Sequence, residues 1–401
     1  MQTGEPTSDN EIDRRSGDDQ KINTAIVLEA VLKDAPLSRA QISERTGLNK
    51  ATVSSLVQQL IDRHLVIEIG HGESSGGRKP VMLLFNAQAG HAVGIDLGVN
   101  YIRGVLTDLD GAVLHERVSS LKRRDPDHVL PELASCIEYL IARAPDSPYG
   151  IVGIGIGVPG IVDDRGTVLL APNLEWRNVP LREWAEERFA LPVAIDNEAN
   201  AGALGEQKYG AGRNVAHQIY VSVGIGIGTG IILNKELYKG ASGFSGELGH
   251  LSIELDGKPC RCGSRGCWEL YASEMALLER AAPLGYEDLD ALLNAAEQDG
   301  RVQQLFRETG TFLGAGIASI ANVFNPDLVI IGNRMSKAQR WIEEAMREEA
   351  AKRALPYHRE RMRIQFAELE DRSAVRGAAN DAISRFFAKV KSGRYDDSAN
   401  L

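Results

Sequence analysis

The sequence predicts an α/β protein: an N-terminal winged helix-turn-helix followed by a duplicated α/β unit with a zinc knot. Three observations support this class. Near the N-terminus, a helix, a glycine-containing turn and a second helix precede two short strands. Farther along, a glycine-punctuated hairpin followed by helical segments occurs twice. Three of the four cysteines fall within eight residues, and a histidine lies ten positions before the first of them.

Composition sets the broad class. The chain has 401 residues, 43% of them hydrophobic, which suffices for two or three domains with buried cores. The longest apolar runs, such as residues 150–158, are too short and too rich in glycine to span a bilayer, so we predict no membrane association. Residues 1–20 are polar and acid-rich, and we expect a disordered tail rather than a signal peptide. Together with reduced cysteines, this predicts a cytoplasmic protein.

Residues 21–86 form the predicted DNA-binding unit. Ser38 opens a second helix with Gln41 in the capping-box position, Gly47 makes the turn, and Asn49 caps a third helix. The first helix shows apolar residues at i, i+4 spacing, namely Ile22, Ile26 and Ala30 together with Val27 and Val31. The third helix is expected to bury Val53, Leu56, Val57 and Leu60.

Side chains at the start of the third helix and in the wing are the predicted DNA contacts. The wing consists of strands at residues 65–70 and 81–85 around residues 72–80. Residues 36–80 carry six Lys/Arg against four Asp/Glu in a chain of net charge −10, which fits DNA binding confined to one end. A three-helix protein-interaction module is the alternative. The predicted contacts are Arg39, Asn49, Lys50, Thr52, Ser54, Ser55, Arg78 and Lys79.

A structural zinc site is predicted in the cysteine-rich stretch. One imidazole and three thiolates make the closed four-ligand set of structural zinc, here His250, Cys260, Cys262 and Cys267. Structural cysteines with a chance third, or a disulfide, are the alternatives. Glu247 and Glu269 flank the ligands. Carboxylates beside an imidazole N–H suit the hydroxyl groups of a sugar.

The remainder of the chain predicts a duplicated α/β fold with a cleft between its halves. The first hairpin unit comprises predicted strands at 92–97, 101–108 and 112–119, and the second comprises strands at 218–224, 228–233 and 236–238. We expect one subdomain at residues 87–196 plus about 376–390 and a second at 197–375. Residues 391–401 form a predicted C-terminal tail.

The motif E-x-G-H followed by C-x-C-G-x-x-G-C-x-E, from Glu247 to Glu269, resembles the signature of the ROK family of sugar-dependent repressors and sugar kinases. The resemblance covers residues 20–390 approximately and implies the actin-like (sugar kinase/Hsp70) fold. It implies that His250 and the three cysteines bind zinc. It also implies sugar contacts at Asn173, Asn197, Glu198, Glu247, His250 and Glu269.

This sequence differs from the motifs of the family's kinases at several positions, and these differences favour a repressor over a kinase. The catalytic Asp of the kinases' N-D-A-N motif is replaced by Glu198, and the extra methylene displaces the carboxylate by roughly 1 Å. The phosphate motifs D-x-G-G-T and G-T-G read Asp96-Leu-Gly-Val-Asn and Gly224-Ile-Gly, and the adenosine-side G-G reads Gly332-Asn333. We therefore expect no ATP and no enzymatic activity, with an ATP-dependent sugar kinase as the alternative.

These observations predict a repressor of carbohydrate-utilisation genes that binds operator DNA and a monosaccharide effector. Residues 197–200, 222–230 and 240–247 are most similar to the xylose-repressor branch of the family. The family and the symmetry of operators imply a homodimer or a dimer of dimers. Closure of the cleft on the sugar is expected to re-space the two winged helices, so that they no longer match the two half-sites.

Overall fold

The computed structural model describes residues 9–71 and 79–394, and for residues 9–18 and 71 the backbone alone. Its helices are α1 (Asp9–Asp34), α2 (Arg39–Thr46), α3 (Lys50–Asp62), α4 (Pro126–Ile141), α5 (Leu181–Phe189), α6 (Glu198–Tyr209), α7 (Glu269–Ala272), α8 (Glu274–Ala281), α9 (Leu289–Ala296), α10 (Gly300–Phe324), α11 (Gln339–Arg353), α12 (Pro356–Arg361) and α13 (Ser373–Lys391).

The strands form four sheets. Their bounds are β1 (Leu37–Ser38), β2 (Val66–His71), β3 (Val81–Phe85), β4 (His91–Leu97), β5 (Tyr101–Asp108), β6 (Val113–Ser120), β7 (Ile151–Val158), β8 (Ile161–Val162), β9 (Val168–Ala171), β10 (Trp176–Val179), β11 (Val193–Asn197), β12 (Gln218–Val223), β13 (Ile227–Leu233), β14 (Glu236–Leu237), β15 (Leu328–Gly332) and β16 (Arg363–Phe366).

The N-terminal unit is a winged helix-turn-helix, as predicted. The side chain of Ser38 caps α2 in a capping box with Gln41, and Gly47 ends that helix in the left-handed conformation. The Asn49 side chain accepts a 2.9 Å hydrogen bond from the backbone N–H of Thr52 and starts α3. A three-stranded sheet in the order β1-β3-β2 forms the wing. The wing residues 72–78 lie outside the described ranges.

Helix α1 differs from the sequence-based expectation in its start and in its buried face. It begins at Asp9, inside the segment 1–20 that the sequence predicts to be a disordered tail. Residues 1–8 lie outside the description. Its buried face is Val27, Leu28 and Val31, whereas Ile22 is 58% exposed and Ile26 is 40% exposed. The i, i+4 pattern includes residues from two faces of the helix, and the elements that pack on it, α2, α3, α13 and β3, leave Ile22 and Ile26 exposed.

The two larger sheets repeat one topology, which confirms the duplicated α/β fold. The first has the order β11-β7-β4-β5-β6 and the second the order β14-β13-β12-β15-β16. In each sheet a three-stranded antiparallel meander is extended by two parallel strands beside its first strand. A small sheet of β8, β9 and β10 is inserted after β7.

Helices α6 and α13 lie between the two large sheets. α13 packs on β4 and β7 of the first sheet, α6 packs on β12 and β13 of the second, and the two helices pack on each other. A Cβ at Gly155 on β7 would lie 1.8 Å from the carbonyl oxygen of Ala378, and one at Gly230 on β13 would lie 2.4 Å from that of Ala199. Glycine is therefore required on both strands, because the helix backbones touch the sheets.

The DNA-binding unit shares a hydrophobic core with the end of α13. Side chains from α1, α2, α3 and β3 form one cluster with residues Ile383, Phe386, Phe387 and Val390 of α13. The rings of Phe85 and Phe387 meet edge to face at 5.7 Å. The winged helix is thus packed against the sugar-kinase-like fold through α13. Among the described residues, no helix is long and apolar enough to cross a bilayer.

Candidate functional site

The four predicted metal ligands lie together. One ligand atom from each of His250, Cys260, Cys262 and Cys267 falls within 4.8 Å of the others. The Sγ atoms of Cys262 and Cys267 are 3.7 Å apart, and Sγ of Cys260 is 3.7 Å from Nδ1 of His250. A tetrahedral ion with Zn–S bonds of about 2.3 Å separates two sulfurs by about 3.8 Å, so the observed spacing fits such an ion.

Local folding holds this cluster. His250 ends a short 3-10 helix, Leu248–His250, and Cys267 pairs with Ser252 in an isolated β-bridge. Cys267 is fully buried and Cys260 nearly so, whereas Cys262 is exposed. Burial raises the pKa of the Cys260 thiol to about 12. Cation binding must therefore displace the proton of Cys260, because the thiolate is the ligand form.

Two carboxylates extend the cluster toward the cleft. Oε1 of Glu269 lies 3.4 Å from both Nδ1 of His250 and Sγ of Cys260. On the other edge of the imidazole, Nε2 of His250 is 4.0 Å from Oε2 of Glu247. The histidine thus directs one nitrogen at the thiols and the other at Glu247, a sugar contact implied by the family resemblance.

The turn between β12 and β13, residues 224–226, gathers the other predicted sugar contacts. A Cβ at Gly226 would lie 2.9 Å from Oε2 of Glu269 and 3.7 Å from Nδ2 of Asn173, which sits in the turn between β9 and β10. Glu198 is close to the start of β13, since a Cβ at Gly228 would lie 3.6 Å from its Oε1. Glu269, which contacts the metal cluster, therefore lies on the same turn region as the predicted sugar contacts Asn173 and Glu198.

Asn197 is engaged in local structure. Its Oδ1 accepts hydrogen bonds from the backbone N–H groups of Ala199 and Asn200, at 2.8 and 3.4 Å, and so caps α6. Its Nδ2 donates a 2.9 Å bond to the carbonyl of Gly160. An amide nitrogen carries two hydrogens, so one N–H of Asn197 is available to a ligand.

Two buried acidic residues near the 224–226 turn have raised pKa values. Burial, together with the neighbouring Asp96 carboxylate, raises the pKa of Glu198 to about 7, against a hydrogen bond from Ser222 that lowers it. Burial also raises the pKa of Asp96, although the Tyr101 hydroxyl donates a 2.8 Å hydrogen bond to its Oδ2. Burial away from water and repulsion between two nearby carboxylates both favour the protonated form of these acids.

Two side chains lie on glycines of the segments that were compared with the kinase phosphate motifs. The ring of Tyr101 covers Gly98, where an added Cβ would lie 2.3 Å from a ring carbon. The amide of Asn333 covers Gly224, where an added Cβ would lie 3.1 Å from Nδ2. The sequence showed that Asn333 stands where the kinase motif has glycine. It did not indicate that Tyr101 covers Gly98, because this position depends on the pairing of β4 with β5.

An ion pair that the sequence did not predict connects the end of β11 with the segment after β14. Lys239, after β14, places Nζ 2.6 Å from Oδ2 of Asp196, at the end of β11. The same carboxylate accepts hydrogen bonds from the backbone N–H of Asn197 and the amide of Asn200 through Oδ1. The pair joins the two halves beside the cap of α6.

The predicted DNA contacts divide into three groups. Asn49, Lys50, Ser54 and Ser55 are exposed on α3, opposite its buried face, and Thr52 is half-buried. Arg39 is half-buried and forms a 3.0 Å ion pair with Glu68 of β2, so its positive charge is partly neutralised inside the winged helix-turn-helix. Lys79 is exposed, and Arg78 lies outside the described residues.

Comparisons with known proteins agree with both parts of the fold. Residues 92–384 match the model of the ROK family and residues 21–74 that of the MarR family. The chain is 42% identical over 376 residues to the xylose repressor of Bacillus spizizenii, covering 93% of this chain and 97% of that protein.

Two solved structures mark the family's two activities. A ROK family transcriptional regulator described as a homolog of the E. coli MLC protein has TM-score 0.80 and 27% identity, covering 94% of this chain and 100% of that chain. A ROK family glucokinase from Streptomyces griseus, in complex with glucose and AMPPNP, has TM-score 0.66 and 31% identity, covering 73% of this chain and 99% of its own. The similarity to the regulator includes more of this chain than the similarity to the kinase.

Proposed function

Because this chain belongs to the ROK family and carries a MarR-type DNA-binding domain, we propose that it is a sugar-responsive transcriptional repressor of carbohydrate-utilisation genes. One observation carries the proposal: a single helix, α13, packs on the first large sheet, on α6 and on the core of the winged helix. A change at the cleft therefore acts on the DNA-binding unit through packed side chains. D-xylose is the first effector to test, since a similar relative is named a xylose repressor.

DNA binding is assigned to α3 and the wing. α3 presents Asn49, Lys50, Ser54 and Ser55 on its outer face while four apolar residues anchor the opposite face. Polar groups at the start of a recognition helix reach base edges in the major groove, and basic groups contact phosphates. Thr52, Arg39, Arg78 and Lys79 complete the proposed contacts with operator DNA.

The effector site is assigned to the cleft wall. Glu247, Glu269 and the Nε2 edge of His250 would bind sugar hydroxyls from the metal side, with Asn173 and Glu198 across the 224–226 turn and the remaining N–H of Asn197 at the start of α6. Sites of this kind discriminate strongly against analogues that lack a hydroxyl, because the protein's own polar groups are then left unpaired.

Zn²⁺ is the proposed ion of the His250–cysteine cluster. Four protein ligands would fill its coordination sphere, so the ion serves structure and offers no open position for a substrate. Through His250 and Glu269 it would fix two sugar-binding groups at once. The chain's own contribution is the orientation of the imidazole, whose Nε2 edge faces Glu247.

We propose that the chain binds no ATP and is not an enzyme. Tyr101 and Asn333 lie on glycines where nucleotide phosphates would have to approach the backbone. The hydroxyl of Tyr101 is moreover bonded to Asp96, which the first phosphate motif would supply to a nucleotide. The kinase alternative retains one supporting feature, the acid at Glu198, whose raised pKa suits a general base.

The active form is proposed to be a cytoplasmic homodimer or dimer of dimers. Sugar binding would close the cleft, move α13 relative to the first sheet, and change the spacing of the two winged helices. An operator with half-sites at a fixed separation would then be released.

Titration calorimetry with a panel of monosaccharides tests the effector assignment. We expect one pentose or hexose to bind, and its affinity to fall in E269Q because the paired hydroxyl loses a charged acceptor. Turnover of that sugar with ATP, measured by release of ADP, would instead support the kinase. Binding of no sugar by a metal-loaded protein would contradict the effector site.

A further inference from the structure

Asn333 occupies a backbone conformation that is unfavourable for any residue with a side chain. Its φ is +64° and its ψ is −164°, a region adopted almost solely by glycine. The chain nevertheless places asparagine here, at the end of β15. Such a conformation is strained and persists where the surroundings enforce it, often at functional sites.

Both the oxygen and the nitrogen of the Asn333 side-chain amide are hydrogen-bonded. Oδ1 accepts a 2.7 Å hydrogen bond from the backbone N–H of Arg334. Nδ2 donates to Oγ of Ser222 at 2.9 Å and to Oε2 of Glu198 at 3.4 Å. The Ser222 hydroxyl donates in turn to Oε1 of Glu198 at 3.1 Å. Both carboxylate oxygens of Glu198 are therefore held by β12 and β15 of the second sheet.

Glu198 itself follows β11 of the first sheet and begins α6. Its carboxylate consequently links the start of α6, directly after the first sheet, to β12 and to the end of β15 in the second sheet. The parallel pairing of Ser222 with Gly332 places Asn333 next to the Ser222 hydroxyl. The amide also lies on Gly224, the start of the turn that touches Glu269 and Asn173 at Gly226.

We propose that Asn333 is a positioning residue for the effector: it holds the carboxylate of Glu198, through Nδ2 and Ser222, in the orientation that binds the sugar. The inference rests on the proposed function and adds to it a residue that the effector does not touch. It also gives a reason for asparagine at a position where glycine would be relaxed.

The N333G variant removes the amide and relieves the backbone. We expect its affinity for the monosaccharide that binds the wild-type protein to fall about 3- to 10-fold, the range expected for the loss of one hydrogen bond of ordinary strength. Operator affinity without sugar should stay unchanged, and the thermal midpoint should not fall. N333A, which keeps the Cβ, provides the second variant.

A double-mutant cycle with E198Q separates positioning from general structure. If Asn333 acts through the Glu198 carboxylate, N333G should change sugar affinity less than about twofold in the E198Q background. Equal losses in both backgrounds, or wild-type affinity in N333G and N333A, would overturn the inference while leaving the repressor intact. Failure of every monosaccharide to bind wild-type protein would overturn the proposed function and this inference together.

Discussion

The hydroxyl of Tyr149 donates a 2.7 Å hydrogen bond to the carbonyl of Arg63, the residue that caps the C-terminus of α3. Tyr149 precedes β7 of the first sheet, and its ring meets Phe386 of α13 edge to face at 5.1 Å. One side chain thus links α3 to the helix that packs between the two large sheets. We expect this contact to be one route by which the effector site acts on DNA binding.

The Y149F variant tests that route. It keeps the ring contact with Phe386 but removes the bond to α3, so we expect the sugar-induced loss of operator affinity to shrink about 3- to 10-fold. Sugar affinity should remain within about twofold of wild type, because Tyr149 is not in the cleft. The exposed Tyr357 offers a matched control, Y357F. An unchanged response in Y149F would exclude this hydrogen bond from the coupling.

The C262S variant tests the link between metal and sugar. With one thiolate lost, we expect zinc content to fall well below one ion per chain and sugar affinity to fall at least about tenfold, whereas operator binding survives. Elemental analysis and calorimetry measure the two effects. S264A, in the same loop, is the control that keeps all four ligands. Normal sugar affinity in metal-depleted C262S would contradict the link.

The raised pKa of Glu198 predicts that the stability of the folded protein depends on pH. Its pKa is raised from 4.5 to about 7 in the folded chain, so the folded state binds more protons than the unfolded state between those values. The contribution of Glu198 to the free energy of unfolding therefore decreases as pH rises through this window. E198Q lacks this titration, and its thermal midpoint relative to wild type should be higher at pH 8 than at pH 5. A constant difference across that range would refute the raised pKa.

The hydrogen bonds to Glu206 predict that truncating this side chain lowers the free energy of unfolding strongly. This fully buried side chain on α6 accepts hydrogen bonds from the backbone N–H groups of Ala211, Glu368 and Leu369 and from the Ser373 hydroxyl, at 2.7–3.2 Å. E206A should lower the free energy of unfolding by about 3 kcal/mol, because buried donors lose a charged acceptor. Urea unfolding measures it, with exposed Glu236 as the control in E236A. A loss below about 0.5 kcal/mol would be inconsistent with this network.

Lys50 predicts a salt-dependent contribution to DNA binding. K50A should weaken operator binding about 3- to 10-fold and reduce the slope of log affinity against log salt by about one, as expected for one lost phosphate contact. Sugar affinity should not change. The exposed Lys235, in the turn between β13 and β14 of the sugar-binding part, gives the charge-matched control K235A. Equal effects of K50A and K235A would argue against α3 as the DNA-reading helix.

Local chemistry explains which features could be predicted from sequence. Caps at Ser38 and Asn49 depend on neighbours within three residues, and the metal ligands lie close together in the chain. The repeated hairpins revealed the duplicated sheets because each is a contiguous segment.

Features that depend on long-range pairing could not be predicted. Asn333 reaches Glu198 across 135 positions through the alignment of β15 with β12, and Tyr149 reaches Arg63 across 86 positions. Ile22 and Ile26 show the same limit, since an amphipathic pattern does not say which face a partner covers. Packing between distant elements decides each case.

Fluorescence anisotropy on DNA from upstream of the protein's own gene, with and without monosaccharides, tests the central claim most directly. The account predicts specific binding by zinc-loaded protein and release by one sugar, with D-xylose tried first and glucose second. Specific binding that none of the sugars alters would contradict the effector role of the cleft. Absence of DNA binding together with ATP-dependent phosphorylation of a sugar would contradict the repressor itself.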